Sequence, residues 1–313
     1  MKILLDYFFP ITTIEPTPAA STAFLKQACI VVLPRASGGS PVEDVPQLCT
    51  SSAQIALQTD NADAPQLLAG GLSRVYTLAV DDLSELSTIL AAYGNQFFTL
   101  IISSDFNDAA VTAMDLGGWG GVVGRASTDD AFLATQAAIA NRCAFHTTSG
   151  NKAKNMCYAF GKLLSNALSW NNQQYITMPF TDDVDTLGEA NALFDDKISF
   201  VLSDDEYGQR LGLFCAGGKA IVAPYIKRNL EIDLQSSALT YISANQPAYS
   251  KVQAALVEDE LQKVVASYIS RQWIESGKAE VLLEQSNFVA SAYMEISEPN
   301  ALWRIFGEIT QTT

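Results

Sequence analysis

Arg74-Val75-Tyr76-Thr77-Leu78-Ala79-Val80-Asp81-Asp82-Leu83-Ser84-Glu85-Leu86-Ser87-Thr88-Ile89-Leu90-Ala91-Ala92-Tyr93, followed after Gly94-Asn95-Gln96 by Phe97-Phe98-Thr99-Leu100-Ile101-Ile102, is the stretch on which the fold turns. A short apolar run, a helix-like segment and a second apolar run form one strand–helix–strand unit. A strand that is apolar along its whole length has both faces covered, as in a parallel sheet between layers of helices. The same rhythm extends in both directions. Cys29 to Leu33, Arg74 to Val80, Phe97 to Ile102, Trp119 to Val123 and Arg142 to Thr147 read as strands, and Asp81 to Tyr93, Asp108 to Leu116 and Thr128 to Asn141 as helices. The expected fold class is α/β: a mostly parallel sheet flanked by helices, with extended N- and C-terminal arm strands.

Beyond this core the reading continues with a helix from Lys152 to Leu168, strands at Tyr175 to Met178 and Ile198 to Leu202, and a long helix from about Tyr249 to Ser276 closed by Gly277. Val252, Leu256, Leu261, Val264, Val265, Tyr268, Ile269 and Trp273 approximate one apolar face of that helix. The tail turns strand-like at Ala279 to Leu283, Phe288 to Ile296 and Leu302 to Ile309. At the other end, Pro10, Pro16 and Pro18 exclude a helix and favour an extended chain after the apolar start. Both ends are therefore expected to be arms. Their apolar residues, Ile3, Leu4, Leu5, Tyr7, Phe8 and Phe9 at one end and Leu302, Trp303, Ile305, Phe306 and Ile309 at the other, are the candidate subunit-interface residues.

Composition narrows the function. Of 313 residues, 19 are Lys or Arg and 34 are Asp or Glu, a net charge of −15 that repels phosphate backbones and anionic lipid. Neither nucleic-acid binding nor membrane insertion is expected, and no uncharged apolar run approaches the roughly 20 residues of a membrane span. Only 17% of residues are charged, against about a quarter in an ordinary soluble domain, so some apolar surface should meet a partner. Five scattered cysteines without a Cys-x-x-Cys pair suggest a reducing environment, and Asp6 interrupts what would otherwise be the apolar part of an export signal.

Motifs with catalytic meaning fail on spacing. His146, the single histidine, has no Gly-x-Ser-x-Gly elbow to serve and reads as a structural histidine at a strand edge. The glycines of Gly117-Gly118-Trp119-Gly120-Gly121-Val122-Val123-Gly124 come before the strand residues, whereas a dinucleotide fingerprint follows its strand; tight turning beside a packed Trp119 explains them. Gly212-Leu213-Phe214-Cys215-Ala216-Gly217-Gly218-Lys219-Ala220 lacks the hydroxyl residue after Lys219 that a phosphate loop needs. Asp182-Asp183-Val184-Asp185, Asp195-Asp196 and Asp204-Asp205-Glu206 do not fit a calcium loop and read as solvated turns and caps. Ser and Asp after Val80, Ile102 and Leu202 likewise read as helix N-caps. No catalytic residue, cofactor or metal is expected.

Four strings carry a resemblance: Asn151-Lys152-Ala153-Lys154-Asn155-Met156, Asn171-Asn172-Gln173-Gln174-Tyr175, Gly218-Lys219-Ala220-Ile221-Val222-Ala223-Pro224-Tyr225-Ile226 and Ala301-Leu302-Trp303-Arg304-Ile305-Phe306-Gly307. Together the chain resembles the tail sheath proteins of contractile-tailed bacteriophages, from about Phe24 to Gly307. The resemblance implies a non-enzymatic virion subunit, assembled in the host cytoplasm, that stacks in rings around a tail tube. Its terminal arms would add strands to neighbouring copies, and contraction would drive the tube into the host envelope for genome ejection. Its partners would be copies of itself, the tube protein, and baseplate and tail terminator proteins. The implied organisation is an arm at 1–22, a first α/β part at 23–148 serving as an outer subdomain, a sheath core at 149–286 containing the 249–276 helix, and arm strands at 287–313. Lys263, Arg271 and Lys278, at near-heptad spacing around the long helix, would form a basic stripe toward an acidic tube. The rival reading is a Rossmann-like small-molecule-binding protein or enzyme.

Overall fold

A computed structural model of the chain describes residues 2–5, 29–34, 45–57, 61–93, 97–117, 119–166, 176–181, 184, 186–204, 208–245, 250–284 and 289–297. The first strands are β1 (Lys2–Leu5), β2 (Cys29–Pro34), β3 (Gln47–Cys49), β4 (Val75–Val80), β5 (Thr99–Ile102), β6 (Val122–Ser127) and β7 (Arg142–His146). A six-stranded sheet has the order β3-β4-β2-β5-β6-β7, parallel throughout except for the short antiparallel edge strand β3. Leaving β3 aside, the chain lays its second strand on one side of its first and its third on the other. The topology therefore reverses between β2 and β5. Both strands are buried on both faces, which is why their sequences read as unbroken apolar runs.

Helices cover the two faces: α1 (Ser52–Ala56), α2 (Ala64–Ala69), a 3-10 turn at Leu83–Glu85 leading into α3 (Leu86–Tyr93), α4 (Asp108–Ala113), α5 (Asp130–Ala137), α6 (Lys154–Ser165) and α7 (Leu187–Asp195). Their starts are set by short polar side chains. Asn107 accepts from Ala110 N at 2.7 Å, and Asp129 accepts from Ala131 N and Phe132 N. One core layer joins Ile30, Leu78, Leu100, Ile102 and Val123 of the sheet to Leu86, Leu90 and Leu133 of the helices. Across the sheet, Gly124 leaves room for α6: a Cβ there would lie 2.8 Å from the Phe160 ring.

The expected strand at Trp119 to Val123 is displaced to Val122–Ser127. Gly117, at φ 57°, turns the chain first, and the Trp119 ring packs where a Cβ on Gly121 would stand, 2.5 Å away. The glycines thus do turn beside a packed tryptophan, and the strand begins after them. Beyond β7, Ser199 pairs in parallel with Phe145 and leads into a hairpin of β8 (Phe200–Asp204) and β9 (Gly208–Leu213). The expected strand at Tyr175 to Met178 reduces to a single bridge from Thr177 to Arg210, with Tyr175 outside the described residues. β10 (Cys215–Ala216) and β11 (Lys219–Ala220) form a two-residue hairpin with Gly217 and Gly218 at φ 55° and 73°. That turn requires positive φ at both central residues, which accounts for the glycines of the near-miss phosphate loop.

Two long helices and a second sheet follow. α8 (Val222–Asn245) carries Pro224 in its first turn, where its missing N–H is no loss, and buries Val222, Ile226, Leu230, Leu234 and Ala238 at every fourth position. α9 (Lys251–Ser270) is capped by Ser250, which accepts from Gln253 N. It leads to β12 (Ser276–Glu284) and β13 (Val289–Ser297), and the sheet order is β1-β13-β12, all antiparallel. The expected helix to Ser276 with a Gly277 cap is corrected: α9 stops at Ser270, Gln272 turns at φ 58°, and Gly277 lies within β12. Gly277 is required there because a Cβ would stand 2.8 Å from Val265 Cγ1 of α9. The expected apolar face is also narrower than read: Leu261, Val265 and Tyr268 are buried, whereas Val252, Leu256 and Ile269 are exposed.

Two compact units result. One joins β1 to the described residues of 223–297; the other holds the described residues from β2 to Val222. Position 148/149, the expected division between two α/β parts, falls inside the second unit, where α6 packs on α2 and Ser199 extends the sheet beyond β7. Among the described residues no helix is long and apolar enough to cross a membrane.

The α2–α6 contact is a close approach of two glycines. A Cβ on Gly161 would lie 2.4 Å from Leu67 O and 2.9 Å from Gly70 Cα. Gly161→Ala should therefore destabilise the chain by about 1–3 kcal/mol, read as a lower urea midpoint with an unchanged slope.

Candidate assembly interface

The sheet of β1, β12 and β13 brings together residues from opposite ends of the chain. Lys2, Ile3, Leu4 and Leu5 stand opposite Glu295, Met294, Tyr293 and Ala292. Of the N-terminal candidate interface residues, Ile3, Leu4 and Leu5 are thus placed in a strand on β13 of their own chain. Tyr7, Phe8 and Phe9, and all five C-terminal candidates, Leu302, Trp303, Ile305, Phe306 and Ile309, lie outside the described residues. One face of the sheet buries Ala279, Met294 and Ile296, while Lys278, Glu280 and Glu295 are exposed, the alternation expected of a half-covered antiparallel sheet.

The far edge of β12 is occupied by α9. Val281 N donates to Glu258 Oε2 at 2.9 Å, Ala279 N donates to Gln262 Oε1 at 3.0 Å, and Gln262 Nε2 donates to Gly277 O at 3.3 Å. Neither Glu258 nor Gln262 is among the candidate residues of the sequence. Their i, i+4 spacing just ahead of a strand is the signal that could have marked them.

The three candidate tube-contact residues do not share a helical stripe. Lys263 is exposed on α9 and paired with Glu260, whose hydrogen bond and charge raise its pKa. Arg271 follows the helix and lies 5.0 Å from the Trp273 ring. Lys278 is on β12, because the helix ends earlier than its apolar pattern suggested.

A polar network occupies the C-terminal ends of the parallel strands. Asn61 donates to Ser103 Oγ at 2.9 Å and to Asp105 Oδ2 at 2.8 Å, and Lys152, at φ 50°, reaches Asp105 Oδ1 at 3.0 Å. Arg125, buried in β6, binds the carbonyls of Ser103 and Phe106 and pairs with Asp108 at 2.6 Å. Asp105 is therefore not the cap it was read as; Asn107 caps α4, and Ser203 and Asp204 lie within a strand that leads to another strand. Asp82 does cap its helical turn. Position β2/β5 is where an open α/β sheet ordinarily takes a ligand. Here Ser103 and Asp105, at the end of β5, are bonded to Asn61 and Lys152.

His146, at the end of β7, is held by Asp130, Nδ1 to Oδ1 2.7 Å, beside a cleft of about 650 Å³ that is also lined by Thr147, Glu189 and Asp196. Among the described residues no three His, Cys, Asp or Glu side chains gather as a metal site; Asp182, Asp183, Asp185, Asp205 and Glu206 lie outside them. The five cysteines form no disulfide and are buried. Burial pushes the Cys29, Cys143 and Cys157 thiols far up, and Cys215 up to about 11, so these are thiols and not nucleophilic thiolates.

Against this geometry, solved structures give the comparison. The chain is similar to a chain of the anti-feeding prophage baseplate (TM-score 0.70, 12% identity, 92% of this chain and 94% of that one). It is similar to the helical sheath of the same particle in its contracted state (TM-score 0.67, 13% identity, 98% and 100% covered). It also resembles the sheath tail protein from Desulfitobacterium hafniense (TM-score 0.54, 10% identity, 84% and 91% covered). No protein-family model and no curated protein matches the chain. The fold is that of contractile sheath proteins.

The buried Asp63 and the partly exposed Asp105 should titrate in opposite senses. Burial raises the Asp105 pKa, but hydrogen bonds from Asn61 and Lys152, with the Lys152 charge and Ser103, outweigh it and hold it below 3.8. Its stabilisation is present above that value and is lost as the pH falls through the lowered one. Asp63 is raised, first by burial and then by the Asp105 charge, against bonds from Ser104, Ala153 and Asn61. Its contribution is complete below 3.8 and is lost as the pH rises through the raised value. Urea midpoints from about pH 2 to pH 7 should show the deficit of Asp105→Asn shrinking on acidification, and Asp63→Asn gaining on the unaltered chain as pH rises. With Lys152 about half exposed, the Asp105–Lys152 ion pair itself should contribute less than about 1 kcal/mol.

Proposed function

We propose that the chain is the structural subunit of a contractile tail sheath, of a bacteriophage or of a phage-like particle. In this reading, copies stack as rings around a tail tube, are linked by strands exchanged between their terminal arms, and contract to drive the tube through a host envelope. The observation that carries it is the end-to-end likeness to a helical sheath subunit, 98% of this chain on 100% of that one. Supporting it is the sheet formed by β1 on β13, because a strand nearly the whole chain away in sequence can be supplied by a second copy in the same register. Each main-chain hydrogen bond contributes only about 1 kcal/mol net, so a row of them can link subunits that move relative to one another.

The subunit would bind copies of itself, the tube protein, and baseplate and terminator proteins, and would be assembled in the host cytoplasm before residing in the virion tail. Its tube-facing surface would include Lys263 and Arg271, with Lys278 contributing from β12. A Rossmann-like ligand-binding protein would instead remain dispersed and be stabilised thermally by a small ligand.

Electron microscopy of the purified chain should show rings or tubes. Removing residues 1–18, or ending the chain at Pro299, should leave a soluble core that forms neither; polymers of normal length from both shortened chains would reject the reading. Lys263→Glu with Arg271→Glu should weaken assembly on tubes, measured by co-sedimentation, without lowering the thermal midpoint.

A further inference from the structure

A three-stranded sheet that takes a strand from another molecule has two edges to offer. An edge presents a row of unpaired N–H and C=O groups, and an incoming strand with no other instruction adds to either. In this sheet the two edges are not equivalent. Among the described residues β13 has only β1 beyond it, so when β1 leaves, the main chain opposite Lys2–Leu5, from Ala292 to Glu295, is open on that side. Along β12 the Gly277 carbonyl and the Ala279 and Val281 amides are already bonded to Gln262 and Glu258.

The match is geometric. Glu258 and Gln262 are one helical turn apart, a rise of about 6 Å, and Ala279 and Val281 are alternate strand residues about 6.8 Å apart, so a helix beside the edge can meet successive outward amides. Gly277 lets α9 come close enough, since any side chain there would strike Val265. An incoming strand would have to break the carboxylate bond at Val281 and the amide bonds at Ala279 and Gly277 before forming any of its own.

We propose that Glu258 and Gln262 seal the Ser276–Glu284 edge, so that the terminal strand Lys2–Leu5 of a second copy is admitted only along Val289–Ser297. This rests on the assembly reading for its occupant, while the seal itself belongs to the single chain. It fixes the order of strands in the shared sheet and keeps β12 from pairing with arms in the wrong place.

Two measurements on the full chain test it. In the unaltered protein the outward amides of Ala279 and Val281 should exchange with deuterium as slowly as those of Lys278 and Glu280. In Glu258→Ala with Gln262→Ala those two alone should exchange about tenfold faster or more. Fast exchange at Ala279 and Val281 in the unaltered protein overturns the seal, whether or not the double variant folds. For the address, copies carrying Leu4→Cys are mixed with copies carrying one of Tyr293→Cys, Lys278→Cys, Glu280→Cys or Leu282→Cys under mild oxidation, the native thiols being buried. Disulfides should form between copies only at position 293, and at 278, 280 or 282 only after Glu258 and Gln262 are replaced. Disulfides at the β12 positions with the seal intact overturn the inference. Absence at every position, 293 included, overturns the assembly reading instead and leaves the seal to be decided by the exchange rates.

Discussion

The antiparallel pairing of Lys2–Leu5 with Ala292–Glu295, in the smaller unit, is the contact on which any exchange of strands between copies depends. It joins the two ends of the chain through backbone groups, which carry no sequence preference and are the same in every copy. A pairing of that kind specifies its register through the faces of the strands, with Met294 and Ile296 inward and Glu295 outward. It does not specify which molecule supplies the partner strand. What the surroundings of the sheet bear on is the edge: one side is lined by helix side chains, the other is left to a strand.

The larger unit is organised differently. Its parallel sheet is held by burial on both faces, by glycines that let α6 approach β6 and α2, and by a charged network at the strand ends. In a ligand-binding relative of this topology the corresponding crevice would be left for a cofactor. In this chain Asn61, Ser103, Asp105, Lys152, Arg125 and Asp108 bond one another there. The crevice is thus filled by bonds between the chain's own side chains, in a fold like that of sheath subunits along nearly the whole chain.

Much of this was legible in the residues. Cys29 to Leu33 and Thr99 to Ile102 are apolar because both faces are covered, and the helices between strands announce themselves by length and by their starting Asp and Asn. What escaped was decided at long range. Gly124-Arg125 looks like the end of a strand, yet β6 continues through it because carbonyls and a carboxylate 17 to 22 positions away receive the guanidinium. The helix Val222–Asn245 has no counterpart among the elements read from the sequence, although its apolar residues recur at every fourth position. Gly277 looked like a helix stop and is a strand residue shaped by Val265. Lys278 was placed with Lys263 and Arg271 for the same reason. The pairing of Asp105 with Lys152 spans 47 positions and leaves no local trace.

Ser199 has a consequence of another kind. Its hydroxyl lies 3.6 Å from the Cys143 sulfur and 3.8 Å from that of Cys215, and it receives the Cys215 amide. A small polar residue thus stands as a spacer between two sulfurs that would otherwise be neighbours, in a chain whose remaining thiols are all hidden from solvent. Passage from a reducing medium to an oxidising one therefore meets five thiols withdrawn from solvent, two of them held apart by a serine hydroxyl.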